Sequence, residues 1–214
     1  MNIIITGASR GIGKYLYKEL SVLNRVIGFS SKDVDLSDSR EVNILLESLR
    51  EKNYEPDVLI NCAGVASMNH SLLTPSHVTQ RIFDINVVGT FNLTKEIAKM
   101  MNEGGRIINF SSVAAPLNLE GEAIYAASKA AVEKFTKVLA KELAFKEITV
   151  NCIGPCPIKT DLIKNVPLHK IKRILAQQAI KKFGTLNDVL NLVHFFIDKR
   201  SNMITGQTIY LGGI

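Results

Sequence analysis

Short apolar, β-branched runs recur along this chain, separated by longer stretches of helical periodicity, and that alternation constrains the fold more than any other feature. Runs at 2–6, 25–29, 57–62, 105–111, 149–153 and 207–211 read as strands, and those at 11–23, 39–52, 74–101, 123–146 and 186–196 as helices. Strands with little polar alternation are those buried on both faces. The pattern therefore predicts an α/β fold, a doubly wound parallel sheet with helices on either side. Helix boundaries are signalled locally. Asp38 and Glu41 have the spacing of a capping box, and Thr74-Pro75 reads as an N-cap followed by proline at the first helical position. Between the second strand, ending near Ser30, and Asp35 there is no room for a helical crossover, which takes about a dozen residues. One strand-helix unit is expected to be absent, leaving about six strands.

With 214 residues, 46% of them hydrophobic, and no Pro/Gly/Ser-rich linker, the chain is expected to form one domain over 1–214. No apolar run approaches the ~18 residues of a membrane span, and the N-terminus lacks the basic and long apolar regions of a secretory signal, so a cytoplasmic protein away from membranes is expected. Cys62, Cys152 and Cys156 form no CxxC pair, and His70, His77, His169 and His194 stand at no metal-ligand spacing; neither disulfides nor a metal site is predicted. Residues 1–150 hold 17 basic and 17 acidic side chains, whereas 151–214 hold nine against three. The whole net charge of +6 thus lies in the last third. Without interleaved aromatics this points to a local site for an anionic ligand, with no nucleic-acid partner.

Gly7, Gly11 and Gly13 stand in Thr6-Gly7-Ala8-Ser9-Arg10-Gly11-Ile12-Gly13, directly after a strand and opening a helix. Residues without a Cβ let backbone amides approach a pyrophosphate, and the helix N-terminus adds partial positive charge. Tyr125 and Lys129 lie one helical turn apart on one face. With 5 Tyr and 18 Lys in the chain, such a pair arises about 0.4 times by chance, so it carries little alone. The chemistry is apt nevertheless, since a nearby cation favours phenolate and lowers a phenol pKa from ~10. Ser111-Ser112 closes a strand just upstream, at the end of a parallel sheet where ligands bind.

In this order the motifs resemble the short-chain dehydrogenase/reductase family, in its classical, 3-oxoacyl-carrier-protein reductase-like form, over nearly the whole chain. The Thr6 to Gly13 segment resembles the family's cofactor loop, Asn61-Cys62-Ala63-Gly64 its NNAG, and Leu211-Gly212-Gly213 its C-terminal end. Asn86, Ser112, Tyr125 and Lys129 match its catalytic set, and Asn151 to Thr160 its strand-to-lid segment. The resemblance implies a Rossmann-like fold and hydride transfer between a nicotinamide cofactor and a carbonyl or secondary alcohol. Tyr125 would be the general acid/base, Lys129 would depress its pKa and hold the nicotinamide ribose, Ser112 would polarise the carbonyl, and Asn86 would support a water relay to Lys129. Cofactor contacts would come from Gly7, Ser9, Arg10, Gly11, Ile12 and Gly13, and from Ser30, Ser31, Asp35 and Leu36. Asn61, Ala63, Gly64, Tyr125, Lys129, Pro155, Ile158 and Thr160 would complete them.

NADP(H) is expected over NAD(H), because the second strand runs into Ser30-Ser31-Lys32 with no acid to bond a ribose 2′-hydroxyl, and Arg10 offers a cation; Asp33 would reverse this if the strand were longer. Cys156 replaces a family glycine beside the expected nicotinamide and would press on the ring. The segment 159–182 carries seven basic residues against Asp161, with Leu168, Ile171, Ile174 and Leu175 at helical spacing. It is expected to form a basic lid whose apolar face covers the cleft, over a carbonyl or alcohol substrate borne on an anionic carrier. The resemblance further implies a homo-dimer or homo-tetramer. Alternatives are a nucleotide-sugar dehydratase or epimerase, and a catalytically silent nucleotide sensor, which would have no need of Asn86, Ser112, Tyr125 and Lys129 together.

Overall fold

A computed structural model describes residues 1–164 and 166–214. The strands are β1 (Asn2–Thr6), β2 (Arg25–Phe29), β3 (Val58–Asn61), β4 (Arg106–Phe110), β5 (Thr149–Gly154) and β6 (Thr208–Tyr210). The α-helices are α1 (Gly11–Leu20), α2 (Ser39–Glu51), α3 (Ser76–Phe83), α4 (Thr90–Met100), α5 (Ala114–Leu117), α6 (Ala123–Glu142), α7 (Leu168–Gln177) and α8 (Leu186–Ile197). All six strands pair in parallel in the order β2-β1-β3-β4-β5-β6.

The apolar runs explain themselves in this sheet. Ile3 and Ile5 pack with Leu16 of α1 and with Val189, Val193 and Phe196 of α8, while Ile4 between them faces Leu46 of α2, Leu93 and Ile97 of α4 and Leu139 of α6. Both faces of β1 are therefore core, and a polar residue at any of the three positions would be buried. The chain leaves β1 toward β2 on one side and returns to β3 on the other, so the crevice where strand order reverses opens at the carboxyl ends of β1 and β3.

The expected deletion accounts for the edge. After β2 the chain turns at once: the amides of Asp33 and Val34 donate to the Ser30 carbonyl at 3.0 and 3.1 Å, and Val34 and Leu36 drop into the core beside α2. β2 is thus left as the outer strand of a six-stranded sheet.

Three local expectations need correction. The helix read over 74–101 is divided: α3 begins one residue later than the Thr74-Pro75 signal suggests, and a π-turn at Asp84–Gly89 separates it from α4. Wider turns of this kind collect at functional positions, and Asn86 stands in this one, turned inward and 1% exposed. Glu41 does not close a box on Asp38; its Oε2 accepts from the Asp35 amide at 2.7 Å, while Asp38 accepts from the Arg40 amide. The reciprocal cap belongs instead to Thr185 and Asp188 at the start of α8. The helices read as ending at 23 and 146 stop at Leu20 and Glu142, and short turns complete them.

Candidate active site

Two contiguous cavities open along the carboxyl edge of the sheet. The first, about 230 Å³, runs over the glycine turn and is lined by Gly7, Ser9, Arg10, Gly11, Ile12 and Gly13, with Ser30, Ser31, Asp35 and Leu36 at one end and Ala63 and Gly64 at the other. The second, about 460 Å³, contains Ser112, Tyr125, Lys129, Pro155 and Ile158. Ile12, Cys62, Gly64, Val65, Thr160 and Leu162 line both, so the cavities meet at a seam beside Lys129.

The glycine turn is shaped by what it excludes. A Cβ on Gly13 would stand 2.3 Å from the Gly7 carbonyl oxygen, and one on Gly7, which has φ +71°, would meet the Ala63 backbone at 2.9 Å. The Thr6 hydroxyl accepts from the Ala63 amide at 3.0 Å, tying β1 to the segment after β3. No side chain caps α1, so its first-turn amides remain available to an anionic ligand. These features fit a dinucleotide, with its pyrophosphate at the start of α1.

At the polar, adenosine end two carboxylates are engaged by neighbouring serines. Asp33 folds back so that its carboxylate accepts from both the amide and the hydroxyl of Ser30, at 2.8 and 2.7 Å, and these bonds hold it below the usual carboxylate range. The Asp35 carboxylate is occupied in the same way by the amide and hydroxyl of Ser37. Arg10 and Arg81 both line the cavity. Arg81 was not anticipated from the sequence.

On the substrate side, α6 supplies Tyr125 and Lys129 and the end of β4 leads into Ser112. Lys129 Nζ donates to the Phe110 carbonyl at 2.9 Å and lies 5.8 Å from the centre of the Tyr125 ring. Burial pulls the Lys129 pKa below its ordinary value. Burial also pushes the Tyr125 phenol up to about 12, with Ser112 drawing it down and the Glu122 carboxylate beside it pushing it further up. The direction is opposite to the depressed phenol that was expected, because desolvation dominates and Lys129 is not among the groups that shift it. Cys62, at the seam, is likewise pushed up to about 12 by burial and stays a thiol.

Asn86 does not reach either cavity. Its Oδ1 accepts from the Val65 amide and its Nδ2 donates to the Val65 carbonyl, both at 2.9 Å, and Nδ2 also reaches Ser128 Oγ at 3.0 Å. It fixes the strand-like segment after Gly64 against α6. A Cβ on Gly64 would lie 3.3 Å from both Asn86 Oδ1 and Lys129 Nζ, so glycine lets the two approach. Asn61, expected at the cofactor, is instead 3% exposed behind the sheet end, donating to Thr94 and Asn109 at 2.7 and 2.8 Å. Cys156 lines the cavity but is wedged against Gly184 and Gly212, and burial raises its pKa, so it packs as a small apolar residue.

Residues Leu162, Ile163, Val166, Pro167, Ile171 and Ile174 form the outer wall of the second cavity. The α-helix in this region is α7, shorter than the basic segment and preceded by a 3-10 turn at Asp161–Ile163, and its Leu168 is 61% exposed instead of covering the cleft. Of the seven basic residues only Lys170 lines the cavity; Arg173 reaches Glu120 at 3.9 Å on the surface, and Lys159 lies over the Phe183 ring. Glu122, unremarked in the sequence although one turn before Tyr125, also lines it.

Comparison with known proteins agrees with this geometry. The family described as enoyl-(acyl carrier protein) reductase matches residues 7–213. The chain is 33% identical to the 3-oxoacyl-(acyl-carrier-protein) reductase FabG of Buchnera aphidicola and 30% identical to that of Escherichia coli, in each case over 98% of this chain and 95% of the relative. Those alignments extend over 231 positions against 214 residues here, so at least 17 positions of the relatives have no counterpart in this chain. Among solved structures, a 4-hydroxyisoleucine dehydrogenase complexed with NADH superposes with a TM-score of 0.90 at 28% identity, covering 99% of this chain and 97% of that one. A short-chain dehydrogenase from Burkholderia cenocepacia in complex with NADP superposes at 0.88 and 26% identity, covering 99% and 96%.

Proposed function

Because this chain belongs to the short-chain dehydrogenase/reductase family, whose members interconvert carbonyls and alcohols, we propose that it is an NADP(H)-dependent carbonyl reductase with Tyr125 as general acid. The observation that carries this reading is the seam: Tyr125, Lys129 and Ser112 stand in a substrate-sized cavity that shares a wall with a cavity built to take a dinucleotide. A bound nicotinamide would supply the hydride. The chain supplies the rest. Ser112 holds the carbonyl oxygen toward Tyr125, which donates its proton as negative charge develops there. A phenol pushed up to about 12 is fully protonated at neutral pH and so is ready to act as an acid. Lys129, buried and anchored on the Phe110 carbonyl, presents a cation at the seam, where it can hold a ribose hydroxyl and assist reprotonation of Tyr125. Asn86 is a positioning residue for the Val65 segment and α6.

NADP(H) over NAD(H) is supported by Arg10, Arg81 and Ser31 at the adenosine end. We further propose a cytoplasmic homo-oligomer in which the chain is one domain, residues 159–182 act as the lid, and the substrate is a carbonyl compound on an anionic carrier, as the names of the FabG relatives suggest. A dehydratase or epimerase is not favoured by any of these relatives. The test is consumption of NADPH and of NADH across 3-oxoacyl thioesters, keto-sugars and quinones. A preference for NADPH with a carbonyl substrate is expected; turnover of no carbonyl compound with either cofactor overturns the reading.

A further inference from the structure

The backbone of Glu122 joins α6 to the preceding turn, its amide donating to the Leu119 carbonyl and its carbonyl accepting from the Ala126 amide, but its side chain has no such partner among the described residues. It sits at the N-cap position of α6 yet makes no capping hydrogen bond, and its carboxylate takes part in no side-chain hydrogen bond or ion pair among the described residues. It is nevertheless only 8% exposed, and it lines the substrate cavity. Burial raises its own pKa and the Lys170 charge lowers it, and no hydrogen bond among the described residues requires an acid here. Its charge is felt at the reacting group, because it raises the pKa of the Tyr125 phenol one turn away. The opposing charge comes from farther out, where Lys170 of α7 lines the same cavity and its Nζ approaches Gly121. Lys172 and Arg173 lie beyond it on the exposed side.

The cavity is therefore graded in sign, with an acid beside Tyr125 and one cation, Lys170, toward the lid. Resting on the reductase reading above, we propose that Glu122 is a charge filter: it excludes substrates carrying a carboxylate next to the reacting carbonyl and admits those whose reacting end is uncharged, such as 3-oxo esters and thioesters. An anionic handle is compatible with this only when it lies outward, on the Lys170 side. A free 3-oxo acid would place its carboxylate a few ångströms from Glu122, in a site where two like charges repel far more strongly than in water. The thioester or ester of the same acid carries no such charge.

The experiment pairs two substrates of one skeleton, ethyl acetoacetate and acetoacetate, and reads the ratio of their kcat/KM values. In the wild type the ester is expected to be preferred on the order of a hundredfold. Glu122→Gln keeps the size and polarity of the side chain, and is expected to shrink the ratio at least about tenfold by gaining the acid. Lys170→Met removes the countercharge and is expected to widen it. Each ratio is internal to one protein, so a general loss of activity cancels. Equal use of acid and ester by the wild type, or a ratio unmoved in Glu122→Gln, overturns the filter while leaving the reductase intact. Failure of both substrates together with all other carbonyl compounds would instead fall on the reductase reading itself.

Discussion

The two cavities of this protein are built by different means. The dinucleotide side is made mostly of backbone: a turn in which Gly7 and Gly13 leave no space for a Cβ, helped by a threonine that ties β1 to the residues after β3. The substrate side is made of side chains from the end of β4, from α6, from the loop after β5 and from α7, segments far apart in sequence. A backbone site tolerates almost no substitution but recognises only what all dinucleotides share. A side-chain site can be altered one group at a time, and it decides which substrate enters. Substitutions in the two regions should consequently fail in different ways.

The largest effect belongs to the point where the regions meet. Tyr125→Phe should lower kcat by about 10² to 10⁴-fold while cofactor affinity stays within a few-fold, because the ring remains and only the transferable proton is lost. Retention of half the activity would remove Tyr125 from its role. The pH dependence has a definite sign. Carbonyl reduction needs the protonated phenol, which persists below its pKa, so the rate should stay level through neutral pH and fall only as pH rises toward about 12. Alcohol oxidation needs the phenolate and should rise over the same range. A reduction rate that falls already between pH 6 and 8 would show that a bound cofactor lowers this phenol strongly.

Next in size is the backbone site. Gly13→Ala puts a methyl 2.3 Å from the Gly7 carbonyl oxygen in the turn after β1, an overpacking that typically costs about 1–3 kcal/mol. A lowered melting temperature and a raised KM for the cofactor are expected together. An unchanged melting temperature would show that the turn can relax.

Side-chain changes at the adenosine end should be milder and selective. Arg10→Ala is expected to weaken NADPH by about tenfold, the loss of one charge-assisted bond, with little change for NADH. Equal losses for both cofactors would contradict a role at the 2′-phosphate. The smallest effect is reserved for the outer lid. Lys172→Glu/Arg173→Glu should slow association of an anionic substrate a few-fold at low ionic strength and leave it unchanged in high salt, because neither residue lines the cavity. Salt-independent loss would place these cations in direct contact with substrate.

The parts read from the sequence correctly are those with a local cause. Ile3, Ile4 and Ile5 show a two-sided strand because both faces are core, and the glycines after it show the turn because only a residue without a side chain fits there. The short link between Ser30 and Asp35 announced the six-stranded sheet for the same reason, since chain length alone forbids a crossover. Misreadings occurred where a distant partner decides. The π-turn interrupts an unbroken helical pattern, and within it the Asn86 side chain meets the Val65 backbone, a partner 21 residues away. Asn61 has the family's residue type, yet it serves Thr94 and Asn109 on neighbouring elements.

By itself the sequence determined the alternation of strands and helices and the glycine turn after β1, because period and glycine act over a few residues. The tertiary structure decided the rest. Whether Tyr125 is acidic or basic depends on burial by segments far from it, and whether Glu122 or Lys170 faces substrate depends on how α6 and α7 pack around one cavity. Desolvation and long-range charge are properties of the assembled surroundings, and no local pattern of residues encodes them.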